Sequence, residues 1–319
     1  MRIIFKRRLK DFFIFMREFG MLFTIKCYLL RIKSFFDYEK LIYQYIEKEY
    51  SYLIEEFRIN SVNKKEKAEF ENKLYVWSLW WQGEENAPEI VKSCFKSQKE
   101  KIKGKNLKYI IITKDNWCQY ITCSQNIIEK VNCGKITLTH FSDILRAELL
   151  KKYGGLWIDA TVYCTKEIEL KEFSGLYTVK YQEKGKSLTL GRWSGFLIGA
   201  PPKNILFEFM SKVFNLYWEK HNSMIAYLLI DYIIAIAYNN FKEIKEQYDI
   251  IPIENIGLWD MLENMNKPYN EEKWKKSVAR SSFWKLSYKE EFNGGKLIKE
   301  INGKETYWGH IWNKSNLKI

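Results

Sequence analysis

Residues 140–165 read HFSDILRAELLKKYGGLWIDATVYCT, and the reading of its second half decides the fold. Bulky apolar residues bounded by Gly154 and Gly155 predict a strand, GLWIDATVY. Side chains alternate across a strand, so Leu156, Ile158, Ala160 and Val162 are expected on one face. Trp157, Asp159, Thr161 and Tyr163 then share the other. The first face is core. The second carries a carboxylate whose burial costs several kcal/mol unless it is paired, hydrogen-bonded or metal-bound.

The preceding segment predicts a helix starting near Ser142 as its cap, with Asp143 in the first turn favoured by the helix dipole. Arg146 lies on the same helix face as Asp143, Leu145 and Leu149 form an apolar pair, and Gly154 closes the C-terminus with positive φ. Asp143 and Arg146 therefore have two readings, a capped helix with a surface ion pair or part of a site. Asp159 likewise has two. Arg146 is its structural partner, or the carboxylate is a ligand for Mg²⁺ or Mn²⁺, with phosphate oxygens and water completing the shell.

Outward from this stretch, LYVWSLWW (74–81) and NLKYIIITK (106–114) read as strands, the second with the continuous apolar run of a sheet covered on both faces. Helices are expected from Pro88 through VKSCFKSQKEKI and at NIIEKVN. Strands alternating with helices over 74–165 predict an α/β fold with a mostly parallel central sheet, whose ligand site lies at the carboxyl ends of the strands. Further strands are expected at LYTVKYQ and GFLIGA, with helices near 203–220 and 223–239. Asp231 sits at the centre of MIAYLLIDYIIAIAY, a run too short for a membrane span and so a buried helix.

The 319 residues carry 52 Lys and Arg against 39 Asp and Glu. Nine of the basic residues (Arg2, Lys6, Arg7, Arg8, Lys10, Arg17, Lys26, Arg31, Lys33) fall in residues 1–33 against Asp11 and Glu18. Aromatic and aliphatic runs separate them, none reaching the roughly 18–20 apolar residues of a spanning helix. This arm reads as an amphipathic helical segment on an anionic membrane face, or as a solvated helix packed on its own domain. The polar run NSVNKKEKAEFENK predicts a boundary, giving an N-terminal helical region over 1–72 and a second unit over 73–319. Six cysteines with no CxxC pair and no signal peptide predict reduced thiols and a cytoplasmic location. The net charge of +13 raises a nucleic-acid-binding class, but no nucleic-acid motif supports it and no nucleic-acid partner is expected.

SDILRAELLKKYGGLWIDAT resembles the SDxxR…GGxYxDxD block of retaining glycosyltransferases related to bacterial capsular polysaccharide synthesis proteins, a block shared with initiating yeast mannosyltransferases and large glucosylating toxins. VWSLWWQGEENAPEIVKSCFKSQ, GFLIGAPPKNILFEFM and YLLIDYIIAIAYN are similar to the capsular group, so the likeness spans roughly 74–315. It implies the nucleotide-diphospho-sugar-binding fold called GT-A and a UDP-sugar donor. It further implies that Asp143 and Arg146 hold donor hydroxyls, that Gly154 and Gly155 belong to the donor site, and that Asp159 is the first acid of a DxD motif. Trp81, with Trp80 as its alternative, matches the ring that stacks on uracil. Thr161 replaces the second acid. His310 stands where related folds supply a late metal ligand, with Trp312 and Lys314 placed for the diphosphate. Asp231 is the remaining buried-acid candidate for catalysis. The expected function is metal-assisted, retaining transfer of a hexose to a lipid-linked oligosaccharide, carried out by a peripheral protein at the inner membrane face. A protein acceptor, or a scaffold that binds nucleotide sugar without turnover, are the alternatives.

Overall fold

A computed structural model describes residues 12–63, 74–104, 106–169, 175–181 and 187–316, without the side chains of 60–63. Arg2, Lys6, Arg7, Arg8 and Lys10 of the basic arm lie outside the described residues, as does most of the polar run expected to form the boundary. The helices used below are α1 (Met21–Lys33), α2 (Phe35–Glu49), α3 (Ser51–Asn63), α4 (Glu89–Lys101), α5 (Gln125–Asn132) and α6 (Leu138–Tyr153). They continue with α7 (Ile205–Lys220), α8 (Leu229–Asn240), α9 (Lys242–Asp249), α10 (Glu271–Arg280) and α11 (Tyr307–Asn316). The strands used below are β1 (Leu74–Leu79), β2 (Leu107–Ile112), β3 (Gly155–Ile158), β4 (Val162–Cys164), β5 (Tyr177–Thr178), β6 (Leu197–Ala200) and β7 (Phe283–Lys285).

The central sheet has the order β2-β1-β3-β6-β5. β1 pairs in parallel with β2 and with β3, while β6 runs antiparallel to both β3 and β5. Four strands therefore share one direction and β6 opposes them, the mixed, mostly parallel α/β sheet that the alternation of elements predicts. Both faces are covered, which explains the near-continuous apolar runs. Trp77, Trp157 and Ile198 pack to one side with α6, α7 and α8, whereas Val76, Leu156, Ile158 and Leu197 pack to the other.

The expected strand GLWIDATVY is two strands. β3 ends at Ile158, residues 159–161 turn, and Val162 donates its amide to the Asp159 carbonyl at 3.0 Å. β4 then leaves the central sheet to pair antiparallel with β7. Alternation fails across the turn: Ala160 packs in a cluster with Tyr163 and Trp284, away from Leu156 and Ile158. The helix before it also differs. α6 starts at Leu138 with Thr137 as its cap, whose hydroxyl accepts from the His140 amide at 3.2 Å, and Ser142 lies inside the first turns. Asp231, expected mid-helix, falls in the first turn of α8, because Met224–Leu228 precede the helix.

Gly154 and Gly155 join α6 to β3, both with positive φ. A Cβ on Gly155 would overlap the Tyr75 carbonyl oxygen, and one on Gly154 would overlap the Pro202 nitrogen. The glycines let the central strand emerge from the helix against β1 and the 200–202 turn. Trp77 Nε1 donates to the Gly154 carbonyl at 3.0 Å. The N-terminal helices share this core. Cys27, Ile42, Ile46, Tyr50 and Leu53 are buried in the same cluster as Phe207, Phe214 and Ile233, and the His221 ring meets Glu49 at 2.7 Å and Glu18 at 3.4 Å. The expected helical content of residues 12–63 is thus present, packed onto α7 and α8. The six cysteines are free thiols, as expected, four of them buried.

Gly155→Ala combines a φ of +96° with a backbone overlap, so it is expected to destabilise the protein by roughly 3 kcal/mol or more. Urea unfolding of the two proteins checks this. A loss below about 1 kcal/mol would contradict the packing described, given the usual range for substitutions away from strained backbone.

Candidate active site

The carboxyl ends of parallel strands β1 and β3 open into a cleft of about 450 Å³, lined among others by Trp80, Trp81, Trp157, Asp159, Thr161 and Tyr288. Sheet geometry puts a site here because side chains following adjacent parallel strands converge at that edge. Trp80 and Trp81 directly follow β1. Trp81 packs edge-on against Phe141 and Trp80 edge-on against Tyr288, and the Trp80 Nε1 hydrogen is buried with no hydrogen-bond partner among the described residues.

Asp159 follows β3 and is held from three sides. Its Oδ1 accepts from Trp157 Nε1 at 2.9 Å and from Arg146 Nη2 at 3.3 Å, and its Oδ2 accepts from Lys285 Nζ at 2.9 Å. Lys285 also donates to Thr161 Oγ1 at 2.8 Å. The Arg146 guanidinium lies 4.7 Å from the centre of the Trp157 ring and reaches Asp143 Oδ1 at 3.3 Å. Behind that pair, the His140 Nδ1 stands 3.5 Å from Asp143 while its Nε2 accepts from Trp218 Nε1 at 2.9 Å. One buried face of α6 therefore aims Asp143 and Arg146 at the end of β3. Burial would raise the Asp159 carboxyl, but the Lys285 and Arg146 charges, with hydrogen bonds from Lys285 and Trp157, hold it below the usual carboxylate range.

Asp231 borders the same cluster. Its Oδ1 accepts from Trp193 Nε1 at 3.1 Å. A Cβ on Gly195 would stand 3.3 Å from Arg146 Nη1 and 3.9 Å from Asp231 Oδ1, so both groups border the space this glycine leaves. Burial, with Asp143 nearby, pushes the Asp231 carboxyl up to about 7 against the opposing pull of Trp193 and Arg146. On its other side Asp231 lines a second cavity, of about 600 Å³ and mostly apolar, walled by residues such as Phe15, Tyr28, Phe35, Ala226 and Leu228.

The chain matches the model of the capsular polysaccharide synthesis protein family over residues 26–309. It belongs to that family. No curated protein matches it. The family match starts at residue 26, well before the residue 74 at which the sequence likeness was expected to begin, and so takes in α2 and α3, whose side chains share the sheet's core.

Within this capsular-synthesis chain, Trp80, Trp81, Asp159 and Thr161 meet in one cleft, with Asp143 and Arg146 paired behind it and Asp231 near Arg146 across the space at Gly195. The other expected residues stand apart. Gly154 and Gly155 are fixed by the close approach of backbone, and neither lines the cleft. His310 on α11 stacks on Tyr269 at 3.9 Å, packs edge-on to Trp274 and meets Glu305 Oε2 at 3.2 Å. Lys314 lies over Trp274. Trp312 donates to Glu89 at 3.2 Å, beside the lining residue Pro88. Among the described residues, the ring contacts of His310 are with Glu305, Tyr269 and Trp274 and not with Asp159.

The residues present do not fit a divalent ion at Asp159. Thr161 offers a neutral hydroxyl, both Asp159 oxygens already accept from cations, and among the described residues no three His, Cys, Asp or Glu side chains converge as ligands. Lys285 is the residue that sequence reasoning missed. It lies 126 positions from Asp159, and only the β4–β7 register, with Val162 opposite Lys285, brings it there.

Lys285→Ala leaves Asp159 with one cation, and is expected to lower stability at neutral pH by roughly 1–3 kcal/mol, since part of a buried charge network is broken. A carboxylate whose folded pKa is depressed stabilises the protein above its unfolded pKa and loses that contribution as pH falls through the folded value. The gap between the two proteins in urea unfolding should therefore narrow below about pH 4, the ordinary carboxylate range. A gap independent of pH would contradict the pairing.

Proposed function

We propose that the chain is a retaining glycosyltransferase of GT-A type that takes a hexose from a UDP-sugar and passes it to a lipid-linked oligosaccharide. The observation that carries this reading is the Arg146–Asp159 contact at the carboxyl end of β3, opening into a cleft flanked by two tryptophans. Membership of the capsular polysaccharide synthesis family supports a role in polysaccharide assembly.

In this reading the uracil stacks on Trp81 or Trp80, whose flat faces bind a base without demanding its sequence partners. Asp143 and Arg146 hold the donor sugar's hydroxyls. Retention needs the acceptor hydroxyl on the face of the sugar that the diphosphate leaves. As the acceptor oxygen bonds to C1, the bond from C1 to the diphosphate oxygen breaks, the electron pair departs with the phosphate, and the hydroxyl proton leaves with it. Asp231 lies on the far side of Arg146 from the cleft and accepts a hydrogen bond from the acceptor hydroxyl.

The acceptor reading rests on the second cavity. Its walls are mostly apolar, with Arg31, Glu39 and Asp231 among the lining residues, which suits an amphiphile with a hydroxyl-bearing head and a hydrocarbon tail. The helices that wall it present Leu22, Ile25, Leu29, Ile32, Phe35 and Phe36 to solvent, with Leu22 and Ile32 more than four-fifths exposed. Arg17, Lys26, Arg31 and Lys33 are interspersed with them. An exposed apolar face set among cations supports peripheral binding to an anionic bilayer at the cytoplasmic face, where a lipid-linked acceptor is held. No described helix is long and apolar enough to cross a membrane.

Purified protein incubated with a panel of UDP-sugars and a short lipid-linked acceptor should release UDP from one or two donors. Asp159→Asn should abolish this. Binding of UDP without release from any donor would favour the scaffold alternative, and no UDP binding at millimolar ligand would refute the donor site.

Asp231→Asn should lower the transfer rate about 10- to 100-fold, the usual worth of a hydrogen bond to a charged group, with UDP affinity unchanged. Because the carboxylate is the accepting form, wild-type transfer should rise with pH through about 7. A pH-independent rate between 6 and 8 would remove Asp231 from the reaction.

A further inference from the structure

Lys285 ends β7, and the register holds it rigidly. Val162 is its partner across the β4–β7 pair, the Lys285 amide donates to the Leu258 carbonyl at 2.8 Å, and the next amide, Leu286, donates to the Thr161 carbonyl at 2.8 Å. The ammonium is thereby delivered to the 159–161 turn. It lies between the Asp159 carboxylate and the Thr161 hydroxyl, within 2.9 Å of each, and 4.8 Å from the centre of the Phe196 ring. An ammonium has three hydrogens to donate. Two go to Asp159 and Thr161, and the third has no hydrogen-bond partner among the described residues.

This is the position a divalent ion takes when two acids stand two residues apart. Here one acid is a threonine, so the turn carries one negative charge, and Lys285 already neutralises it. Adding a divalent ion would set it beside an ammonium on the same carboxylate oxygen, and two cations a few ångströms apart repel strongly in a partly buried site. Asp159 and Thr161, which hold the Lys285 ammonium, line the cleft, and a nucleoside diphosphate bound there brings negative charge that increases on the leaving oxygen as the bond to the sugar breaks. Some cation must meet that charge.

We propose that Lys285 is a tethered cation that binds the donor's diphosphate and stabilises it as the leaving group, in place of a divalent ion. The inference rests on the glycosyltransferase reading. The step balances without a metal. The acceptor oxygen forms its bond to C1, the bond from C1 to the diphosphate oxygen breaks, the electron pair stays on that oxygen beside the Lys285 ammonium, and the hydroxyl proton leaves with the departing phosphate. Lys285 remains protonated throughout. Asp159 and Thr161 position it, one by charge and one by a hydrogen bond.

Calorimetric titration of UDP into the full chain, in EDTA and then with Mn²⁺ added, tests this with a binding readout. Wild-type affinity is expected to agree within about twofold between the two conditions. Lys285→Met should bind UDP about 10- to 100-fold more weakly in both, the usual worth of a hydrogen bond to a charged group, and Lys285→Arg should recover part of the loss. A double variant, Thr161→Asp with Lys285→Met, turns the turn into a two-carboxylate site without a competing ammonium. Its UDP binding should be restored about tenfold or more by Mn²⁺, a response that merely structural damage would not produce. Thermal unfolding of each variant identifies those that fail to fold, and Lys285→Arg keeps the test open should Lys285→Met be among them.

Wild-type binding that disappears in EDTA and returns with Mn²⁺, with Lys285→Met unchanged, would overturn the tethered cation and leave the transferase reading standing. Wild-type protein that binds no UDP in either condition would overturn both.

Discussion

The Asp159 carboxylate is the point on which the site is built. It stands where the central strand β3 stops, in a setting where burial raises the pKa of an isolated acid. Three donors from three parts of the chain oppose that rise: Trp157 from the strand itself, Arg146 from α6 and Lys285 from β7. Each depends on different packing. Arg146 needs the two glycines that turn α6 into β3, and Lys285 needs β4 to leave the sheet after the 159–161 turn. Removing any one donor leaves the others to offset burial, so the network resists single losses better than an isolated pair would.

The same cluster divides two cavities of opposite character. On one side lies the cleft, bordered by indole rings and charge, and on the other the apolar cavity that ends at Asp231. Arg146 is paired with Asp143 and Asp159, and with Asp231 it borders the space left by Gly195. In the proposed reaction, such a division would let a polar donor and an amphiphilic acceptor each be bound by its own chemistry. The N-terminal helices complete the apolar side. Their inner faces are buried in the core and their outer faces expose aliphatic and aromatic side chains among cations.

Much of this was legible in the sequence. The α/β architecture followed from strands and helices in alternation, and the relation of Asp143 and Arg146 followed from helical spacing. A buried acid after an apolar strand demanded a partner, and Arg146 is one. What failed to show was non-local or depended on a turn. Alternation was carried through Asp159 to Tyr163, but the chain turns there, so Ala160 and Val162 part company. Lys285 gave no signal, since a lysine in WKLSYK is indistinguishable from a solvated surface residue until β4 and β7 pair. His310 drew notice through its chemistry, yet α11 places it in an aromatic stack with Tyr269 and Trp274. Buried residues of α2 and α3 join the core of α7 and α8 through packing that composition does not encode.

The central claim, that a nucleoside diphosphate binds between the tryptophans and the Asp159 network, is tested most directly by a crystal structure of the protein soaked with UDP. The account predicts the uracil ring against Trp81 or Trp80 and a phosphate oxygen within hydrogen-bond distance of Lys285 Nζ. UDP bound elsewhere, for example beside His310 and Lys314 on α11 with the Lys285 ammonium untouched, would contradict it.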